Sequence, residues 1–367
     1  MAKLLIMIIL LLMIVCMGGC LSDEKLKTDF SMKPAALNDG LEISTPAAEG
    51  FSESMLHEVY KQFFSENDYI TAISLLIIRN DKLVAEGYCR SLDDCHTKRQ
   101  IQSVTKSITS LVFGIAKDMG YFDDLNQKLY DIIPEAFDND LRKREITIRH
   151  LLTMQACLKF WSDEFAEEMQ MNNPNDVMSY ILAKPLFAQP GSMFNYRDCD
   201  PQLLGGAISV KTSMNLEEIA ADRLFGPMGI TDYYWEENAD GDNWAAQALY
   251  MRPRDLAKIG MLVLRQGNWQ GKQLISEEWI EQSTSIQTSQ YEGQLIDGMD
   301  PFYGYYWWIY PYMGTITALG AGGQYIYIVL EKSLVIVMTS EPYVEELLSL
   351  ESKFFDLAQT IIASVLE

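Results

Sequence analysis

Strand-forming stretches lie near both ends of this chain, and that separation constrains the fold more than any other feature. "AISLLIIRNDKLVAEGY" (72–88) reads as two strands joined at Asn80-Asp81, a hairpin. "QYIYIVL" (324–330) and "LVIVMTS" (334–340) flank a second turn at Glu331-Lys332. Between these ends the apolar residues fall at helical spacing, over 146–154, 216–225 and 252–267. Gly, Pro, Asn and Asp fill the connections. Helical segments also adjoin the strands, near 52–66 and over 343–366. The pattern predicts an α+β fold. An antiparallel sheet is formed by the N- and C-terminal strands and flanked by helices, and a mostly helical subdomain is inserted. The sheet region covers about 46–115 and 300–367, the helical region about 116–299. A cleft between the two regions is the natural place for a ligand.

The first residues read as a targeting segment. Lys3 precedes the apolar run "LLIMIILLLMIV" (4–15), which is short for a bilayer span of ~20 residues. Met17-Gly18-Gly19-Cys20 resembles a lipobox, with Met17 where Leu is more usual. The expectation is a signal peptide over 1–19, lipidation at Cys20 and a polar tether over 20–45. The remainder, 46–367, is then the folded domain. An uncleaved membrane anchor is the other reading, and both put the domain outside the cytoplasm.

Charge and cysteine usage narrow the function further. A net charge of -22 makes a phosphate backbone a poor partner, so nucleic-acid binding is not expected. Hydrophobic residues make up 48% of the chain, enough for a large core. The histidines His57, His96 and His150 form no ligand-spaced cluster, and neither a metal nor a cofactor is expected. Beyond Cys16 and Cys20 there remain Cys89, Cys95, Cys157 and Cys199. An exported chain permits disulfides. Cys89–Cys95 is a plausible short-loop pair with Cys157–Cys199 as its complement, but the sequence does not fix the connectivity.

One tetrapeptide suggests chemistry. Ser103-Val104-Thr105-Lys106 opens the apolar segment "ITSLVFGIAKDMG", which ends at Gly120. On a helix, residues three apart share a face, so Lys106 points back toward Ser103. A helix N-terminus adds partial positive charge and unpaired N–H groups beside the serine oxygen. That favours an alkoxide and an oxyanion hole. Lys106 could serve as base once burial and nearby positive charge lowered its ordinary pKa of ~10.4. The plain alternative is that Ser103 caps a helix and Lys106 is solvated. Ser22-Asp23-Glu24-Lys25 fits the same spacing by accident.

Two further stretches bear on that choice. In "PGSMFNYRDCDPQLLGGAI" (190–208), Tyr196 stands just before a helix starting near Pro201, where a phenol could shuttle a proton. It could equally be a tyrosine packed under a loop. In "TALGAGGQYIYIVL" (317–330), Gly320, Gly322 and Gly323 fall at the start of a strand. Glycines there mark close approach of a ligand or backbone, or else a bulge.

Together these stretches resemble the serine β-lactamase/penicillin-binding superfamily, in its class C-type branch with family VIII esterases and 6-aminohexanoate-dimer hydrolase. The resemblance covers about residues 42–365. It is carried in order by "SVTKSITSLVFGIAKDMG", "ITIRHLLTMQACL", "PGSMFNYRDCDPQLLGGAI", "MRPRDLAKIGMLVLRQGNWQGKQLISEEWI" and "YGYYWWI". It implies the β-lactamase/transpeptidase fold. It also implies an acylated nucleophile at Ser103, with Lys106 as general base, alone or shared with Tyr196. Tyr196 would protonate the leaving group and later activate water. The oxyanion hole would be the backbone N–H groups of Ser103 and Ala321. Trp161, Asp198, Gly320 and Gly322 become candidate substrate contacts.

Two departures matter. The family's Lys-Thr-Gly is replaced by Ala318-Leu319-Gly320, which removes the cation that holds a substrate carboxylate. Its Tyr-x-Asn is replaced by Tyr196-Arg197-Asp198. Both point away from penicillins and toward a small-molecule ester or amide. The expected function is an extracytoplasmic serine hydrolase held at the membrane by a lipid anchor. A true β-lactamase or D-amino-acid peptidase, and a non-catalytic binding lipoprotein of the same fold, are the alternatives. The dense aromatics Tyr303, Tyr305, Tyr306, Trp307, Trp308 and Tyr310 are expected to divide by strand alternation, one set to the core and one lining the cleft.

Overall fold

A computed structural model of the chain describes residues 31–65, 69, 71–89, 91–159, 176–288, 301–341 and 347–366. Along the chain, β1 (Glu42–Ile43) leads to α1 (Glu53–Ser65) and the hairpin β2 (Ala72–Arg79) and β3 (Lys82–Tyr88). Asn80 and Asp81, both at positive φ, form its two-residue turn. Next come β4 (Arg99–Gln100) and α2 (Val104–Asp118). The helical region holds α3 (Ile148–Leu152), α4 (Val177–Leu182), α5 (Cys199–Thr212) and α6 (Leu216–Ala220). After it come β5 (Tyr234–Trp235), β6 (Leu249–Met251), α7 (Pro253–Leu264), β7 (Asn268–Trp269), β8 (Lys272–Gln273) and α8 (Glu277–Ser283). The chain closes with β9 (Phe302–Tyr303), β10 (Trp308–Tyr310), β11 (Thr315–Gly320), β12 (Gln324–Val329), β13 (Leu334–Ser340) and α9 (Leu347–Ala363).

The main sheet has eight strands in the order β1-β3-β2-β13-β12-β11-β10-β9. Every pairing is antiparallel except β1 with β3. The hairpins from the two chain ends meet where β2 pairs with β13, from Leu334↔Arg79 to Ser340↔Ala72. Neither strand shows polar alternation, because helices cover both faces of the sheet. On one face, a Cβ added at Gly260 of α7 would stand 2.5 Å from Val335 and 2.9 Å from Ile326. On the other, the Phe354 and Phe355 rings of α9 pack against Tyr325 and Tyr327. Residues 326 and 325 of one strand therefore face opposite layers, as the two-residue strand repeat requires.

The sequence reading differs from the structure in two places. The glycines of 317–330 do not begin a strand. Gly320 ends β11, and Gly322 and Gly323, at φ +79° and +89°, form the turn into β12. The segment between residue 31 and β1, expected to be tether, lies against the body. The Glu86 N–H donates to the Met32 carbonyl at 3.0 Å, and Arg254 Nη2 donates to the Ala35 carbonyl at 2.6 Å. The signal segment and Cys20 lie outside the described residues.

Helix α2 runs through the middle of the molecule, between the sheet and the helical region. It is buried from Val104 to Ala116, polar residues included. Ser107 Oγ donates to the Tyr306 carbonyl at 2.7 Å and Thr109 Oγ1 to the Ala245 carbonyl at 2.8 Å. Each hydroxyl ties the helix to a different neighbour, which fixes the axis and rotation of the element that presents Ser103.

Candidate active site

Ser103 occupies the N-cap position of α2, at φ -68° and ψ -6°, yet its side chain makes no capping hydrogen bond. A serine serving as a cap would bond the N–H two or three residues on. Ser103 Oγ instead lies 2.7 Å from Lys106 Nζ, which excludes the plain capping reading of the tetrapeptide. Gln102, immediately before it, is held at φ +51°, a left-handed conformation that non-glycine residues seldom adopt. The chain thus turns sharply into the helix at the serine.

Lys106 is 1% exposed, and it is not the solvated side chain of the alternative reading. Its ammonium also donates to the Ala246 carbonyl at 3.1 Å and lies 2.6 Å from Asp198 Oδ1. It sits 4.8 Å from the centre of the Tyr196 ring, and the Tyr196 side chain is a further hydrogen-bond partner. Tyr196 is therefore brought from a distant part of the sequence to the Ser103/Lys106 pair. The electrostatics differ from the expectation. Burial alone would favour the neutral amine. The Asp198 carboxylate, helped by Tyr196, outweighs that effect and raises the Lys106 pKa above its ordinary value. The expected neighbouring positive charge is replaced by a negative one.

The loop before α5 delivers both Tyr196 and Asp198. Its approach is fixed by Asn195 N–H donating to the Met154 carbonyl at 2.9 Å. Behind it, Asp200 accepts from the Ala156 N–H at 3.1 Å and from the Cys199 thiol at 3.3 Å. Burial pushes the Asp200 carboxyl up to about 6. The Arg197 guanidinium lies over the Phe187 ring at 4.5 Å. On the other side of the lysine, Gln202 of α5 bonds both Ala245 N–H and the Asn243 carbonyl, holding the stretch that supplies the Ala246 oxygen.

The end of β11 meets the loop of Ile101 and Gln102, just before Ser103, without a side chain between them. A Cβ at Gly320 would fall 2.4 Å from the Ile101 carbonyl oxygen and 3.1 Å from Gln102 Cβ. Ala321 follows directly, so the two expected oxyanion donors belong to segments in contact. Gly322 belongs to the turn beyond. The Ala318 side chain is buried, and the Ala318-Leu319-Gly320 triplet carries no side-chain charge.

The aromatic prediction needs correcting. All six of Tyr303, Tyr305, Tyr306, Trp307, Trp308 and Tyr310 are buried, so none forms an open apolar lining. Tyr303 and Trp308 pack around Tyr196 instead, with ring centres 6.1 Å and 5.2 Å away. Trp161 lies outside the described residues. The suggested disulfides are not formed: the thiols of Cys89, Cys95, Cys157 and Cys199 are buried and not bridged to one another. Among the described residues no His, Cys, Asp and Glu side chains group to hold a metal.

The sequence reading missed two participants. Asp198 was placed as a substrate contact, but its carboxylate is on Lys106. Its position two residues after Tyr196 was the available signal. The Ala246 carbonyl left no signal, because a backbone oxygen is independent of residue type.

The family described as Beta-lactamase matches over residues 61–345. The chain belongs to the beta-lactamase family. An uncharacterized protein of Alkalihalophilus pseudofirmus is 25% identical over 308 residues, spanning 72% of this chain and 82% of that one. Among solved structures, a Bacillus anthracis protein bearing the name 6-aminohexanoate-dimer hydrolase superposes with a TM-score of 0.69 at 20% identity. That match covers 92% of this chain and 91% of the other. A family VIII carboxylesterase gives a TM-score of 0.66 at 16% identity, covering 86% and 98%. A beta-lactamase/D-alanine carboxypeptidase from Pseudomonas syringae gives 0.63 at 18%, covering 85% and 98%. At these identities the structural likeness establishes the β-lactamase/transpeptidase-like fold. The family match makes the chain a serine hydrolase of this superfamily.

Proposed function

We propose that this protein cleaves an ester or small amide through an acyl-enzyme on Ser103, outside the cytoplasm and tethered by lipid at Cys20. The observation that carries the reading is the 2.7 Å contact between Ser103 Oγ and a buried Lys106 that also meets Tyr196. Ser103 Oγ attacks the substrate carbonyl carbon, and its proton passes to the Lys106/Tyr196 pair. The N–H groups of Ser103 and Ala321 receive the oxyanion. Collapse expels the alcohol or amine, which takes a proton from Tyr196. Water, deprotonated by the same pair, then releases the acid and restores Ser103.

The uncharged Ala318-Leu319-Gly320 triplet supports an ester or simple amide over a β-lactam, because no side-chain cation stands there to hold a carboxylate. The export reading is supported by the apolar run at 4–15 and the lipobox-like Met17–Cys20.

Incubation with p-nitrophenyl esters and a fluorophosphonate, followed by intact-mass analysis of wild type and Ser103→Ala, tests the chemistry. A covalent adduct on the wild type alone is expected. Its absence rejects the acyl-enzyme and leaves a binding protein of this fold. Nitrocefin turnover close to that of the esters would instead assign a β-lactamase. Labelling with radioactive palmitate, lost in Cys20→Ala, tests the anchor.

A further inference from the structure

We propose that Asp198 is a positioning residue whose carboxylate holds Lys106 as an ammonium and so sets the pH range over which Ser103 can be acylated. The proposal rests on the acyl-enzyme reading above and concerns what governs that step.

The geometry comes first. Asp198 Oδ1 stands 2.6 Å from Lys106 Nζ, with side-chain exposures of 10% and 1%. Two charges this close and this dry interact strongly, because little water screens them. The other contacts of the nitrogen fit an ammonium too. The Ala246 carbonyl can only accept, so one N–H is committed to it at 3.1 Å. Asp198 stands at the N-cap position of α5, yet makes no side-chain cap. Its carboxylate is turned onto the lysine.

The remaining charged and titratable groups around the pair do not replace it. Tyr196, from the same loop, bonds the ammonium, and its phenol is backed by the buried Tyr303 of β9. Asp200 of α5 is engaged with Ala156 and Cys199. Arg197 is turned onto Phe187. Among the described residues, Asp198 is the carboxylate within ion-pair distance of Lys106.

The consequence concerns the proton of Ser103. An ammonium cannot accept it. Acylation with Lys106 as proton acceptor requires the ammonium to have shed a proton beforehand. The negative charge 2.6 Å from the ammonium opposes that loss. Burial works in the opposite direction on Lys106, and the carboxylate outweighs it. An asparagine at 198 would have nearly the same shape without the charge. The position is therefore a charge setting for a step in which Asp198 exchanges no atom with the substrate.

A fluorophosphonate probe reads this step directly. The Oγ–P bond forms, the P–F bond breaks, fluoride departs, and the serine proton goes to the pair. Initial labelling rates of the full chain would be followed by intact mass from pH 6 to 10, for wild type, Asp198→Asn and Asp198→Glu. The rising limb of Asp198→Asn is expected to move to lower pH by about one unit or more. That of Asp198→Glu, which keeps the charge, should stay with the wild type. A limb for Asp198→Asn that coincides with the wild type or moves upward overturns the proposal. So does an equal shift in both variants, since that reports disturbed packing rather than charge. Should Asp198→Asn not fold, the wild type decides alone. Its rate should still climb throughout from pH 6 to 10, and a rate flat over that range overturns the proposal. A wild type that forms no adduct at any pH defeats the acyl-enzyme reading itself, whereas an adduct with coincident limbs defeats this inference alone.

Discussion

Ser103 and Asp198 hold the same position in two different helices. Each is an N-cap residue, neither side chain caps, and both are turned onto Lys106. Serine and aspartate are among the best capping residues, and diverting one gives up about 1 kcal/mol of helix stability. Two diverted caps meeting at one buried ammonium mark a site where local stability yields to function.

Tyr196→Phe removes a hydroxyl and keeps the ring that packs on Tyr303 and Trp308. Ester turnover should fall by about 10²–10⁴, with Tm unchanged. Parallel kinetics and calorimetry check both halves, and a large loss of Tm would mean that the hydroxyl holds the fold together rather than moving a proton.

Gly320→Ala places a methyl group 2.4 Å from the Ile101 carbonyl oxygen. The strand end must move away from the nucleophile loop, and the Ala321 N–H moves with it. Loss of one oxyanion donor costs about 10²–10³ in kcat. Steady-state kinetics should show that loss in kcat with little change in far-UV circular dichroism.

Arg254→Leu tests the fold away from the site. Arg254 makes two bonds to Glu86, at 2.6 Å and 2.9 Å, and both side chains are 3% exposed. Removing the guanidinium strands a buried carboxylate, a loss of about 3–5 kcal/mol. Chemical denaturation should show it, and the double variant with Glu86→Leu should recover a large part.

Asp200 gives a pH signature. In the folded chain its carboxyl keeps its proton up to about 6, whereas in the unfolded chain it releases it near about 3.9. Between those values the folded state binds more protons, so stability falls as pH rises through the window. Above it the cost is fully present, roughly 3 kcal/mol at most. Asp200→Asn escapes that cost. Its stability relative to wild type should improve from pH 4 to 7 in denaturant titrations, and a constant difference would reject the buried-carboxylate account.

Much of the fold was legible because its signals are local. The hairpin at Asn80-Asp81 follows from two β-rich runs round a turn dipeptide, and α2 from an apolar segment closed by Gly120. A strand was legible over the aromatics of 303–310, where β9 and β10 form, but its alternation divides nothing, because all six rings are buried. At the site, spacing alone relates Ser103 to Lys106. Asp198 was visible as a residue but not as a partner of Lys106, since the two are joined only by tertiary structure. The unbridged cysteines show the opposite error. An even number suggests bridges, but burial in the core satisfies thiols equally well.

The strand β13 lies at the centre of the sheet, bonded on one side to β2 and on the other to β12. Residues 72–79 therefore wait for residues 334–340 before they have a neighbour on that side. Residues 334–340 must be made before this sheet can close around β2, and contacts of such long range form slowly. Until then the helix that presents Ser103 lacks part of the floor it rests on, the strands β11 and β12. The proposed site is thus underwritten by a pairing between segments about 260 residues apart, and its geometry is a property of the closed sheet rather than of any local stretch.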